Sequence, residues 1–160
     1  MIFKGRSFHT MDSKGRISIP ARFRNILRDR YDNKLVVTNK SAKAEGRDET
    51  LVWLVAYPRQ IWNRIEENLM RHLMRNSSEE RFARYFIGAA ADCNMDSQGR
   101  ILLPANLREE AGLVKEVCLS GLVDHFEIWD KETLEFELKY TRSNFDEYNE
   151  VVSQASEGVG

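Results

Sequence analysis

A thirteen-residue segment occurs twice in this chain, and this duplication constrains the fold more than any other feature of the sequence. Residues 12–24 read DSKGRISIPARFR and residues 96–108 read DSQGRILLPANLR, so the copies start 84 residues apart and agree at eight of thirteen positions. Each copy places a glycine before an alternating segment and a proline after it, a pattern typical of a turn, a strand and a helix start. We therefore predict two similar structural units in one chain.

The two copies differ at positions that change charge and polarity. Lysine, serine and arginine in the first copy are replaced by glutamine, leucine and asparagine in the second, at the pairs Lys14/Gln98, Ser18/Leu102 and Arg22/Asn106. The first copy is therefore the more basic of the two, and we interpret it as the surface that contacts a partner.

The net charge of −1 conceals a strong gradient of charge along the chain. Residues 1–30 contain eight Lys or Arg against two Asp or Glu, a net charge of +6, whereas residues 109–160 contain four against thirteen, a net charge of −9. Binding responds to the local field and not to the total charge. The basic N-terminal copy is thus a candidate anion-binding surface, and we expect the acidic C-terminal end to repel a polyanion.

The composition argues against a membrane protein and against a metal site. No stretch approaches the roughly 20 apolar residues that cross a membrane, and the first residues lack the apolar core of a secretory signal. Two cysteines, Cys93 and Cys118, and three histidines are present, and they lack the spacing of metal ligands or of a disulfide framework. We therefore expect a soluble, cytoplasmic protein with two buried, reduced thiols and no metal.

An enzyme is also disfavoured. A Gly-Arg turn beside a helix start could hold a phosphate group. However, no Walker-type glycine loop, no Ser/His/Asp arrangement and no metal cluster accompanies it. We predict no catalysis, no cofactor and no small-molecule substrate.

Each copy is predicted to begin with a β-hairpin. In the first copy, alternation over residues 7–11 and 16–19 predicts two paired strands in which Phe8, Ile17 and Ile19 face inward. An aspartate that caps the turn and a glycine with a positive φ angle would connect the strands. The turn-forming residues are therefore Asp12 and Gly15 in the first copy and Asp96 and Gly99 in the second.

The remainder of each copy is predicted to form a helix, two strands and another helix, so that the order βαββα occurs twice. Between the predicted strands 35–38 and 51–57, the polar residues 39–50 are expected to form a mobile loop. This pattern predicts an α+β fold in which the two halves share one body. The expected units are residues 1–76, residues 77–142 and a C-terminal tail over residues 143–160, whose end from Gln154 onward should be loose.

The paired segments at residues 12–24 and 96–108 resemble the paired signature of the MraZ family. The resemblance extends nearly to residue 140 and includes three further segments, at residues 54–58, 88–93 and 126–129.

This resemblance implies a bacterial transcriptional regulator with the AbrB-like double-split β-barrel, a pseudo-twofold body closed by two interleaved hairpins and flanked by helices. It also implies ring-shaped homo-oligomers in the nucleoid, which bind double-stranded DNA at short direct repeats upstream of division and cell-wall genes. By position, the DNA-facing residues would be Lys14, Arg16, Arg22 and Arg24 in the first copy and Arg100 and Arg108 in the second.

Apart from the resemblance, the residues themselves favour DNA binding, and Arg16 is the most important of them. An arginine fixed beside a rigid turn can offer two donors to guanine O6 and N7, a contact worth about 1–3 kcal/mol of discrimination. Lys14, Arg22 and Arg24 would hold phosphates. One such surface should bind weakly, whereas several in an oligomer should bind strongly if their spacing matches repeated sites.

Other interpretations of the same residues are open at this stage. The arginine after each turn could pair with the aspartate before it, a bracing role that is compatible with DNA binding. The helix residues Arg22 and Arg24 could lie on a solvated face, and Lys14 could be an ordinary turn lysine. The whole protein could instead be an oligomeric scaffold or an antitoxin-like interaction module, in which acidic helices after Asp130 recruit a protein partner.

Overall fold

The computed structural model describes residues 1–72 and 76–158, which form a mixed α+β fold with two copies of one element order. The strands are β1 (Arg6–Thr10), β2 (Arg16–Ser18), β3 (Leu35–Lys43), β4 (Thr50–Pro58), β5 (Ala91–Asp92), β6 (Arg100–Leu102), β7 (Glu116–Leu122) and β8 (His125–Asp130). The helices are α1 (Ala21–Arg30), α2 (Arg59–His72), α3 (Ser77–Phe86), α4 (Ala105–Glu110), α5 (Lys131–Ser143) and α6 (Asn149–Ser156), with a 3₁₀ turn at Phe145–Tyr148.

The strands form two antiparallel sheets that are symmetric with respect to the two copies. The larger sheet has the order β1-β7-β8-β4-β3-β5, and the smaller sheet, which we call the ribbon, pairs β2 with β6. Exchanging each strand for its counterpart in the other copy turns the first order into its own reverse and leaves the ribbon unchanged. In the ribbon, Ile17 lies opposite its own counterpart, Ile101. A pseudo-twofold axis therefore passes between these two residues.

The predicted local hairpin between β1 and β2 is wrong. The turn after β1 closes as expected, because the Gly15 N–H donates to the Asp12 carbonyl at 3.0 Å. However, β1 then pairs with β7 and β2 pairs with β6, so both strands find their partners in the second copy. The pairing of β2 with β6 buries Ile17 and Ile101 almost completely, at 1% and 0% exposure. Local periodicity predicts strands but does not identify their partners.

The predicted inward orientation of Phe8 is also wrong. Phe8 is 59% exposed, and its register partner is Cys118, which lies on the face of the large sheet that α5 covers. Since β1 is the edge strand, this face is only partly covered here, and the ammonium group of Lys131 lies 5.9 Å from the Phe8 ring. The alternating pattern was therefore assigned to the wrong face of the strand.

The main core lies between the large sheet, the ribbon and the helices α1 and α4. As predicted, α1 begins after Pro20 and buries Phe23, Ile26 and Leu27. These side chains pack in one cluster with apolar residues of both copies. The opposite face of the large sheet is covered by α2 and α3 over the first copy and by α5 over the second. The body therefore depends on residues from both copies.

The region predicted as a mobile loop, residues 39–50, is largely an extension of the β3–β4 hairpin. The pairing continues to Lys43 opposite Thr50, and the loop is confined to residues 44–49. The guanidinium group of Arg47 lies 3.5 Å from the centre of the Phe136 ring on α5. Within the tail, residues 145–148 form the 3₁₀ turn and α6 continues to Ser156, two residues past Gln154. Next to the extended pairing, Ala44 and Leu51 are buried in one cluster with Leu134 of α5, a contact that the polar sequence does not indicate.

Candidate nucleic-acid interface

Each of the two Asp-x-x-Gly-Arg turns is held by its own aspartate. Asp12 Oδ1 accepts hydrogen bonds from the backbone N–H groups of Lys14 at 3.0 Å and Arg16 at 2.9 Å, and Oδ2 accepts from Arg16 Nε at 2.6 Å. Asp96 makes the same three contacts in the second copy, at 2.9, 3.0 and 3.0 Å. The bracing interpretation of the two arginines is therefore correct, and it applies to both copies.

This bracing keeps the aspartates ionised. The hydrogen bond from the Arg16 backbone, supported by the Arg16 side chain and the Lys14 backbone, lowers the pKa of Asp12 to about 2. The equivalent contacts lower the pKa of Asp96. Only Nε of each arginine is used in the brace. The terminal Nη1 and Nη2 groups are thus held in a fixed direction by a partner that stays charged at neutral pH.

The two turns are locked to each other across the pseudo-twofold axis. The carbonyl of Gly15 accepts from the Leu103 N–H at 3.0 Å, and the carbonyl of Gly99 accepts from the Ile19 N–H at 2.9 Å. Gly15 and Gly99 have φ angles of +87° and +76°, in the region that favours glycine. Each turn is therefore positioned by the strand that leaves the other turn.

The last arginine of each copy covers the glycine of the opposite turn. A Cβ atom at Gly15 would lie 2.5 Å from the guanidinium carbon of Arg108, and one at Gly99 would overlap Nη1 of Arg24. Arg108 is also anchored through Nε to the Leu103 carbonyl at 3.0 Å. Both arginines are part-buried, so the alternative of a fully solvated helix face does not describe Arg24.

The outer face of the ribbon presents side chains from both copies. Since Ile17 and Ile101 point into the core, the neighbouring positions point outward: Arg16 lies opposite Leu102, and Ser18 lies opposite Arg100. The sequence-based interpretation assigned the contact surface to the first copy. The structure instead joins the arginines of both copies on one small surface.

The other residues predicted to face DNA lie in two different places. Lys14 is exposed at its turn and shares a groove of about 400 Å³ with Leu102 and Arg108. Arg22 lies apart from the turns, because its guanidinium group donates to the backbone carbonyls of Lys4 at 3.4 Å and Arg6 at 3.0 Å. The structure therefore brings together five of the six predicted cations and separates Arg22 from them.

Two residues at this surface were missed by the sequence-based prediction. Arg28 lines a groove of about 430 Å³ with Arg24 and the second turn, and it pairs with the adjacent Asp29 at 2.9 Å. Its position one helical turn after Arg24 could have indicated this location. Leu102 is 56% exposed beside the cations. The sequence shows that Leu102 is the counterpart of Ser18 in the second copy, but only the strand pairing places it opposite Arg16.

Features of other site classes are not found within residues 1–72 and 76–158. These residues contain no group of three or more His, Cys, Asp or Glu side chains that could hold a metal ion. The helices formed by the same residues are too short or too polar to cross a membrane. Both cysteines are buried, and burial raises the pKa of Cys93 to about 11.

Comparison with known proteins gives a consistent assignment. The sequence model of the MraZ family, whose description adds that the protein is antitoxin-like, matches residues 2–85 and again residues 86–155. A transcriptional regulator MraZ from Syntrophobacter fumaroxidans is 39% identical over 152 residues, which cover 94% of each chain. Those from Acidithiobacillus ferrooxidans and Moorella thermoacetica are 41% and 40% identical, covering 81% and 92% of this chain and 83% and 92% of their own. With two matches that together span most of its length, the chain belongs to the MraZ family.

Proposed function

We propose that this protein is a transcriptional regulator that binds double-stranded DNA through the outer face of the ribbon and its two turns. The observation that carries the proposal is the pair of braced arginines, Arg16 and Arg100, on one exposed surface. The relatives named as transcriptional regulators support the same function. An enzymatic function has no support from this surface.

The chemistry of the surface fits the edge of a base pair flanked by phosphates. An arginine whose Nε is fixed by an aspartate can still direct both terminal nitrogens at guanine O6 and N7. Lys14, Arg24 and Arg108 surround the ribbon and would neutralise phosphates. Arg22, whose donors are engaged by backbone carbonyls, would contribute to the positive field without holding a phosphate itself.

The finer parts of the proposal concern the assembly and the target. We propose that the two sheets form the double-split β-barrel, that the subunits assemble into a ring, and that the ring acts in the nucleoid. Its targets would be short direct repeats in the promoter of the division and cell-wall gene cluster. One ribbon presents few cations, so simultaneous contact by several subunits would supply most of the affinity.

The test is a gel-shift titration of the purified protein on its own upstream region. Arg16→Ala should weaken specific binding at least tenfold, since one bidentate guanine contact per subunit is lost. Arg64→Ala, which removes an exposed arginine on α2 far from the ribbon in the sequence and fold, is the matched control and should bind normally. Native mass measurement on both variants shows whether the assembly survives. Unchanged binding by Arg16→Ala would refute the proposal.

The dependence on salt separates this function from an antitoxin-like or scaffold role. DNA affinity should fall steeply between low and moderate salt, with a slope of about 0.9 for each phosphate neutralised. A protein partner held by apolar contacts would be nearly insensitive to salt. No binding to the upstream region at low salt, together with salt-insensitive capture of a protein partner, would favour the alternative.

A further inference from the structure

The outer face of the ribbon carries two equivalent cross-strand pairs, which we call its arms. They are similar but not identical. Under the pseudo-twofold axis, Arg16 with Leu102 opposite corresponds to Arg100 with Ser18 opposite. Both arms hold their arginine by the same brace, with distances of 2.6 and 3.0 Å between Nε and Oδ2. Among the paired residues of the ribbon, the arms therefore differ in one respect, because a leucine accompanies one arginine and a serine accompanies the other.

Leu102 is an exposed apolar residue that does not belong to the core. It is 56% exposed, whereas its neighbours Ile101 and Leu103 are both 0% exposed. A single surface leucine needs no explanation. This one, however, shares a groove of about 400 Å³ with two cations, Lys14 and Arg108, and one carboxylate, Asp92, so the charged side chains of the groove sum to +1. Cations beside an apolar side chain fit a partner that carries both negative charge and an apolar group.

Double-stranded DNA has this combination in its major groove. Phosphates line the groove, and thymine is the only standard base that presents a methyl group there, at C5. Side chains directly opposite on antiparallel strands have Cβ atoms about 4.5–5.5 Å apart. Successive bases are about 3.4 Å apart along a strand. When an arginine of the ribbon contacts a guanine, the side chain opposite that arginine would thus lie within one or two base pairs of the same guanine.

We propose that Leu102 is a specificity-determining residue that contacts the C5-methyl group of a thymine next to the guanine bound by Arg16. This inference rests on the proposed function, because it needs the ribbon to face DNA. Ser18, which accompanies Arg100, can hydrogen-bond to any base and makes no such selection. The arm with Leu102 therefore distinguishes its base pairs from those of the other arm, and the pseudo-symmetric ribbon binds its site in one orientation.

The test removes only the methyl group, by replacing each thymine of the bound upstream site in turn with deoxyuridine. For the wild-type protein, one thymine position in each bound repeat should show a loss of about fourfold, the value expected for one buried methyl-sized group. Leu102→Ser copies the other arm and should bind thymine and deoxyuridine at that position equally. Leu102→Met keeps an apolar side chain and should retain the preference.

Two controls keep the result specific. Val114→Ser removes an apolar residue that is 82% exposed in the segment between α4 and β7, and it should leave the thymine preference unchanged. Circular dichroism and native mass of each variant report folding and assembly. The inference is overturned if no deoxyuridine substitution changes wild-type affinity, or if Leu102→Ser keeps the full preference. Failure of the wild-type protein to bind its upstream region overturns the proposed function as well.

Discussion

Replacement of Gly15 by alanine tests whether the two turns are locked together as the structure describes. Two costs are expected. The φ angle of +87° disfavours any residue with a Cβ atom by about 1–2 kcal/mol, partly offset by the lower entropy of the unfolded chain. In addition, the new Cβ would lie 2.5 Å from the guanidinium carbon of Arg108, so this side chain must move.

The displacement of Arg108 adds a second cost, which stays modest because the contacted atoms are the end of a flexible, part-exposed side chain. Its bond from Nε to the Leu103 carbonyl would be lost, which costs about 0.5–1.5 kcal/mol at this part-exposed position. Gly15→Ala should therefore lower the free energy of unfolding by about 1.5–2.5 kcal/mol. For a chain of 160 residues this corresponds to a decrease in Tm of roughly 3–10 °C.

Gly46→Ala is the matched control for this prediction. Gly46 has a similar φ angle of +80°, but an added Cβ would meet no atom within 4 Å. It should therefore lose about 1 kcal/mol or less, from the backbone term alone. Urea denaturation followed by circular dichroism measures both variants. Equal losses for Gly15→Ala and Gly46→Ala would contradict the packing of Arg108 on the turn.

Two further predictions concern titratable groups. Because the folded pKa of Asp12 is lowered to about 2, its contribution to stability is complete above the ordinary value of 3.8 and is lost as the pH falls toward 2. The difference in unfolding free energy between wild type and Asp12→Asn should thus be constant from pH 8 to 5 and shrink below about pH 4; a difference that changes between pH 8 and 5 would contradict this assignment. Burial raises the pKa of the Cys93 thiol to about 11, so its thiolate fraction at neutral pH is roughly a hundredfold below that of an ordinary thiol. An aromatic disulfide reagent should label neither cysteine in the native protein and both in denaturant, and rapid native labelling of Cys93 would show that it is accessible.

The turns could be predicted from the sequence because their physics is local. In the first turn, Asp12, Gly15 and Arg16 lie within five residues, and the hydrogen bonds that hold the turn are made within this segment. The same holds for the start of α1 after Pro20, whose ring presets the backbone for a helix. The duplication is visible in the sequence alone, and it predicts that both turns have the same structure.

The pairing of strands could not be predicted in this manner. Whether β2 pairs with β1 or with β6 depends on which arrangement buries Ile17 and Ile101 together, and these residues are 84 positions apart in the chain. The extension of the β3–β4 hairpin was missed for a related reason. Its polar residues carry no strand signal, and the contact of Arg47 with Phe136 on α5 exists only after folding.

The sequence by itself determined that the chain contains two similar turns, each with an arginine after its glycine, and that it resembles one family. Only the tertiary structure decided that these turns share one ribbon, that Arg22 is separated from the other cations, and that Leu102 stands opposite Arg16. The physical reason is the range of the interactions. Turn and capping hydrogen bonds are fixed by neighbours in sequence, whereas the composition of a surface depends on long-range burial that pairs distant strands.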